Sequence, residues 1–114
     1  MFVEQYDFGR ITVEGQSYSQ DVLILAEEVH SPWWRREGHR LATADLEVVW
    51  TDPPEFLVIG NGYYGNMDVP GETLEDLRQR GVKAWVGRTA EAVAEFNRLR
   101  EESARVAAAL HLTC

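Results

Sequence analysis

Four short, largely apolar runs constrain the fold more than anything else in the chain. They are Val22-Leu23-Ile24-Leu25, Phe56-Leu57-Val58-Ile59, Val82-Lys83-Ala84-Trp85-Val86 and Val106-Ala107-Ala108-Ala109-Leu110-His111-Leu112. Each has the length of a strand, and continuous apolarity suits a strand covered on both faces. The alanines of the last run favour helix intrinsically. It is nonetheless read as a strand, because the helix before it is already long and the sheet would otherwise have only two central strands.

The segments between these runs carry helical spacing. Leu46, Val49 and Trp50 fall on one face of a helix starting near Thr43, whose hydroxyl can cap the first turn. Asp52-Pro53-Pro54 ends it, since proline disfavours helical backbone in the residue before it. A second helix covers about Glu72 to Arg80, with Leu74 and Leu77 inward and Gly81 as its stop. Thr89 caps a third, about Ala90 to Glu102, which buries Val93, Phe96 and Leu99. Near the start, Ile11 to Val13 and Gln16 to Ser19 flank Glu14-Gly15, the signature of a hairpin turn. Residues 27 to 42 have no period and read as a loop, with room for a short strand or turn inside. The expected architecture is an α/β fold: one three-layer domain over residues 1–114, with a mixed central sheet of about five strands, an N-terminal β-hairpin and about three helices. A chain of this size buries roughly two thirds of its unfolded surface and needs no metal or disulfide staple.

Charge excludes two classes of partner. The net charge of −8 opposes general binding to nucleic acid or to an anionic membrane surface. Cys114 is the only cysteine, so no internal disulfide exists. Met1 to Asp7 lacks the basic start and apolar run of a signal peptide, and no stretch has the length of a membrane span. A cytoplasmic protein is the expectation, monomeric or weakly self-associating.

Several segments in order resemble a known family: Tyr6-Asp7-Phe8-Gly9-Arg10-Ile11, Pro32-Trp33-Trp34-Arg35, Glu37-Gly38-His39, Val58-Ile59-Gly60-Asn61-Gly62-Tyr63-Tyr64-Gly65 and the tail from Val106 to Cys114. The chain is similar to the small Mth-type domain-of-unknown-function family, which includes the mitochondrial complex I assembly factor three and the adipogenesis-associated Mth-domain protein. The resemblance spans nearly the whole sequence. It implies a three-layer α/β fold around a mixed sheet of about five strands. It implies no reaction and supplies no catalytic residues; some eukaryotic members act by binding partners during assembly or regulation.

Three regions could carry chemistry. Gly60-Asn61-Gly62-Tyr63-Tyr64-Gly65 satisfies G-x-G-x-x-G after a strand, but Asn66 to Gly71, with Pro70, separates it from the next helix. The acid that a dinucleotide fold places at the end of the next strand is missing, because Gly87-Arg88 stands there. The glycines then serve a tight turn under Tyr63 and Tyr64, or free N–H groups that could hold a small anion. Trp33-Trp34-Arg35-Arg36-Glu37-Gly38-His39-Arg40 is basic and aromatic in an acidic chain. Adjacent tryptophans point to opposite faces of an extended segment, so only one can enter the core. Arg88, at a strand end and helix start, is expected to share one sheet edge with Gly60 to Gly65. His111 and Cys114, with only His30 and His39 as other candidates, make a poor metal or nucleophile set. His111 reads as a strand histidine bonded to a neighbour. No metal, cofactor or catalytic residue is assigned.

Two functions follow from these residues. The first is a non-catalytic protein-binding or assembly-support module, its surface centred on Trp33, Trp34, Arg35, Arg36 and His39. The alternative is a protein that binds a small anion or phosphate ligand, or an enzyme on one. It would use the glycine loop 60–65 (Gly60, Gly62, Tyr63, Tyr64 and Gly65), Arg88 and the basic loop 33–40.

Overall fold

A computed structural model of the chain describes residues 1–103 and 105–114. The N-terminal residues form a three-stranded antiparallel sheet of β1 (Val3–Asp7), β2 (Arg10–Val13) and β3 (Gln16–Tyr18). The β2–β3 turn is the expected one, with Glu14 at φ 48° and Gly15 at φ 77°. The segment over 3–7 pairs with β2 and widens the hairpin to three strands.

A five-stranded mixed sheet follows, in the order β5-β4-β8-β6-β7. Its members are β4 (Val22–Ile24), β5 (Val29–His30), β6 (Phe56–Asn61), β7 (Lys83–Gly87) and β8 (Val106–His111). β6 runs parallel to both β7 and β8, whereas β4 pairs with β8 in the antiparallel sense. The helices α1 (Gly71–Gln79) and α2 (Thr89–Glu102) make the two crossovers and lie on opposite faces. On one face Phe96 and Leu99 of α2 meet Ile11 and Val13 of the small sheet, over Val58 and Ala108. On the other, Leu77 of α1 joins Leu41, Leu46 and Val49 over Ile59, Ala107 and Ala109. The small side chains of β8 let both apolar layers close on the central strand. Sheet context thereby overrides the helical preference of alanine.

Three local expectations need correction. β7 is not a buried strand: it is the outermost one, paired only with β6, and Lys83, Ala84 and Val86 are exposed. Of that run only Val82, just before the strand, is buried. The helix over Thr43–Thr51 is a 3₁₀ helix, broken at Leu46 (φ −109°, ψ 17°). The Asp45 carbonyl, one residue before the break, accepts from Trp33 Nε1 at 2.9 Å. Neither threonine caps its helix. Thr43 Oγ1 donates instead to Asp76 Oδ2 on α1 at 2.7 Å. Thr89 Oγ1 donates to the His111 carbonyl at 2.6 Å and accepts from Gly62 N at 2.9 Å.

This last junction leaves no room at Gly60. A Cβ there would sit 2.8 Å from Thr89 Oγ1 and 2.9 Å from Leu110 Cδ2. Gly60→Ala is therefore expected to destabilise the fold by about 1–3 kcal/mol through overpacking. Urea unfolding measures this, and an unchanged midpoint would contradict the packing described.

Candidate functional site

The carboxyl ends of β6, β7 and β8 lie along one edge of the sheet, where open α/β folds place their ligand crevice. β4 runs the other way, so the residue before it, Asp21, lies at the same edge. The register pairs Val22 with Leu110 and Asn61 with His111. Asp21, His111 and Asn61 therefore follow one another across three adjacent strands, on the face that carries Leu23, Ala109 and Ile59.

Asp21 is the centre of a bonded cluster. Its Oδ1 accepts from the Leu112 N–H at 2.7 Å. Its Oδ2 accepts from His111 Nδ1 at 2.7 Å and from Arg35 Nη2 at 2.8 Å. The side chains of Arg35 and His111 are only 4% and 6% exposed, and that of Asp21 16%. Arg35 is fixed further by Nε and Nη2 donating to the Gly38 carbonyl at 3.1 and 2.8 Å, and by stacking 4.7 Å from the Trp33 ring. Burial alone would raise the Asp21 pKa. The bonds from His111, Leu112 and Arg35 outweigh it and hold the carboxyl below the usual aspartate range. Nearby, the Tyr6 phenol is pushed up to about 12, chiefly by burial, and donates to the Leu112 carbonyl at 2.8 Å.

A cleft of about 260 Å³ opens over this cluster, lined among others by Gln20, Asp21, Trp34, Arg35, His39 and His111. Arg35 and His111 both line it, and their Nη1 and Nε2 atoms are buried without a hydrogen-bond partner. The His39 ring stands edge-on to His111, 5.7 Å between centroids.

The structure divides the residues singled out from sequence. Trp33 is buried at 6% and Trp34 exposed at 73%, as alternation requires of neighbours. Arg36 and His39 are exposed. Arg35 is inside, so the five residues do not share one open surface. Gly60 to Gly65 and Arg88 do meet at one rim: a Cβ on Gly65 would lie 3.6 Å from Arg88 Cγ. That rim is separate from the cleft lining. Several of the N–H groups expected to be free there already have acceptors. Gly62 N is taken by Thr89 Oγ1, Tyr63 N by the Thr113 carbonyl, Gly65 N by the Gly62 carbonyl and Asn66 N by the Cys114 carbonyl. Gly62 (φ 111°) and Gly65 (φ 78°) serve the turn, and Tyr63 and Tyr64 cluster with Phe8 on the surface.

Asp21 and His111 form the heart of the cleft, and neither was a candidate site residue from sequence. His111 is a strand histidine bonded to a neighbour, as expected, but the neighbour is a buried carboxylate. The only sequence signal is an acid directly before one apolar run and a histidine near the end of another. Among the described residues no three His, Cys, Asp or Glu side chains group to hold a metal ion.

A family model described as "Protein of unknown function (DUF498/DUF598)" matches residues 3–111. The chain belongs to this family. A solved structure named MT938 is 28% identical, with a TM-score of 0.82 over 99% of this chain and 98% of that one. A conserved hypothetical protein from Pyrococcus horikoshii is 23% identical, with a TM-score of 0.78 over the whole of both chains. A Bordetella pertussis protein described as a Mth938-like domain is 23% identical, with a TM-score of 0.76 over 97% of this chain and 85% of that one. The Mth-type resemblance and its three-layer fold therefore hold. No helix among the described residues is long and apolar enough to cross a membrane.

The cluster sets a pH dependence. A carboxyl held below its unfolded pKa contributes stability that is complete above the unfolded value and is lost as pH falls through the folded one. Asp21→Asn should cost about 3–5 kcal/mol at neutral pH by leaving Arg35 without its counter-charge. It should also flatten the acid limb of stability. Urea unfolding of both proteins from about pH 7 to pH 3 measures this; parallel limbs would contradict the role of Asp21.

Proposed function

We propose that the chain binds a small oxyanion in the cleft beneath Trp34, with Arg35 as its charged anchor. The observation that carries this is Arg35 Nη1, a cationic donor buried without a partner on a residue that lines the cleft. An unpaired buried donor costs about 1–3 kcal/mol, more on a charged group. The rest of the guanidinium is fully bonded and stacked, so the side chain is rigid before any ligand arrives. Preorganisation of this kind lowers the cost of binding. Arginine suits planar and tetrahedral oxyanions through charge-assisted hydrogen bonds. Trp34 supplies an apolar wall and His39 a polar rim. The size of the cleft limits the ligand to a few heavy atoms or to one end of a longer molecule.

A protein-binding or assembly-support role is the second reading. Its support is Trp34 itself, a large apolar side chain 73% exposed. The two readings part on which residue matters: Arg35 for the anion, Trp34 alone for a docked protein.

Acetate, sulfate and inorganic phosphate, titrated against the protein and its Arg35→Lys variant at equal ionic strength, test the anchor. At ten times its dissociation constant a bound ligand adds about 1.4 kcal/mol to stability. That moves the melting temperature of a chain this size by several degrees. The comparison with Arg35→Lys removes the general stabilisation that excluded salts give. A saturable shift in the parent that falls at least threefold in the variant is expected. Equal, non-saturating shifts in both would remove the anion reading.

A further inference from the structure

Resting on the oxyanion reading, the geometry points to a narrower ligand class: an oxyanion that also carries a hydroxyl on a neighbouring atom, its anionic oxygen on Arg35 Nη1 and its hydroxyl proton given to His111 Nε2. The inference starts from the tautomer of His111. Its Nδ1 stands 2.7 Å from Asp21 Oδ2. Asp21, kept ionised by three donors, has no proton to offer, so the proton in that bond is on Nδ1. The Arg35 Nη2 that lies 3.1 Å from the same nitrogen spends its protons on Asp21 and the Gly38 carbonyl. In the neutral ring Nε2 is then a bare acceptor.

The two unpartnered atoms belong to neighbouring groups. Nη1 is bonded to the same guanidinium carbon as Nη2, and Nε2 belongs to the same ring as Nδ1. Nη2 and Nδ1 are 3.1 Å apart, so the two groups are in direct contact, and the inferred ligand is one small molecule that reaches both vacant atoms. They are opposite in kind, a cationic donor beside a neutral acceptor. A plain anion such as acetate satisfies the first and presents only lone pairs to the second. A 2-hydroxycarboxylate satisfies both, and so does hydrogen phosphate, whose P–OH is a donor. A site with fixed polar groups discriminates strongly against the analogue that leaves one of them unpaired.

Matched pairs test this directly: glycolate against acetate, and inorganic phosphate against sulfate, each titrated by calorimetry at about pH 8. The hydroxyl-bearing member of at least one pair should bind roughly tenfold tighter, the worth of one good hydrogen bond. Selectivity in the first pair alone identifies the carboxylate class, and in the second alone the phosphate class. In His111→Phe the ratio should fall to about one while acetate or sulfate still binds. Asp21→Asn supplies an independent check. An amide can donate to Nδ1, which moves the ring proton to Nε2 and turns the acceptor into a donor, so the preference should vanish or reverse. Equal affinities within both pairs in the parent protein would overturn the inference and leave the oxyanion reading standing. Failure of all four ligands to bind would overturn both.

Discussion

One carboxylate organises the carboxyl-end edge of the sheet. Asp21 takes the backbone N–H of Leu112, the imidazole of His111 and the guanidinium of Arg35. Those three donors come from the chain after β8, from β8 itself and from the loop between β5 and the 3₁₀ helix. A single charge thus ties the antiparallel strand β4 to the central strand and pins the irregular loop over both. Removing water from an ion pair costs several kcal/mol per ion, and only full hydrogen bonding offsets it. Asp21 accepts from three donors, whereas Arg35 and His111 are each left with one vacant nitrogen.

The rest of the fold serves this edge. The two crossovers through α1 and α2 bring β6, β7 and β8 out parallel, so their carboxyl ends collect on one side. Trp33 enters the apolar layer with Leu41 and Leu46, and its ring becomes the platform on which Arg35 lies flat. Its indole N–H donates to the Asp45 carbonyl, next to the break in the 3₁₀ helix at Leu46. Thr89 locks the start of α2 to β8 and to the glycine turn. In the glycine turn the N–H groups of Gly62, Tyr63 and Gly65 are occupied, and the cleft is lined by other residues.

The layered fold was legible because it rests on local patterns. Apolar runs at Phe56 to Ile59 and Val106 to Leu112 mark buried strands wherever they pair, and helical spacing at Phe96 and Leu99 marks a face. The edge position of β7 was not legible, because Ala84-Trp85-Val86 reads the same whether one or two strands flank it. The cluster was half legible. A tryptophan pair must split, and a basic loop in an acidic chain draws notice. Asp21 and His111, 90 residues apart, become neighbours only through the register Val22↔Leu110. Nothing local to either residue encodes that register. It depends on which strand lies beside β8, a long-range choice made by the whole sheet.

The central claim is that Asp21 holds the His111 proton on Nδ1 and leaves Nε2 bare. Two-bond proton–nitrogen correlation spectra of the histidine-labelled protein, recorded at about pH 8, report the tautomer directly. The account predicts a protonated Nδ1 and an unprotonated Nε2 for His111. A ring protonated at Nε2 with Nδ1 bare would contradict it, since the bond to Asp21 that anchors the whole edge could not then exist.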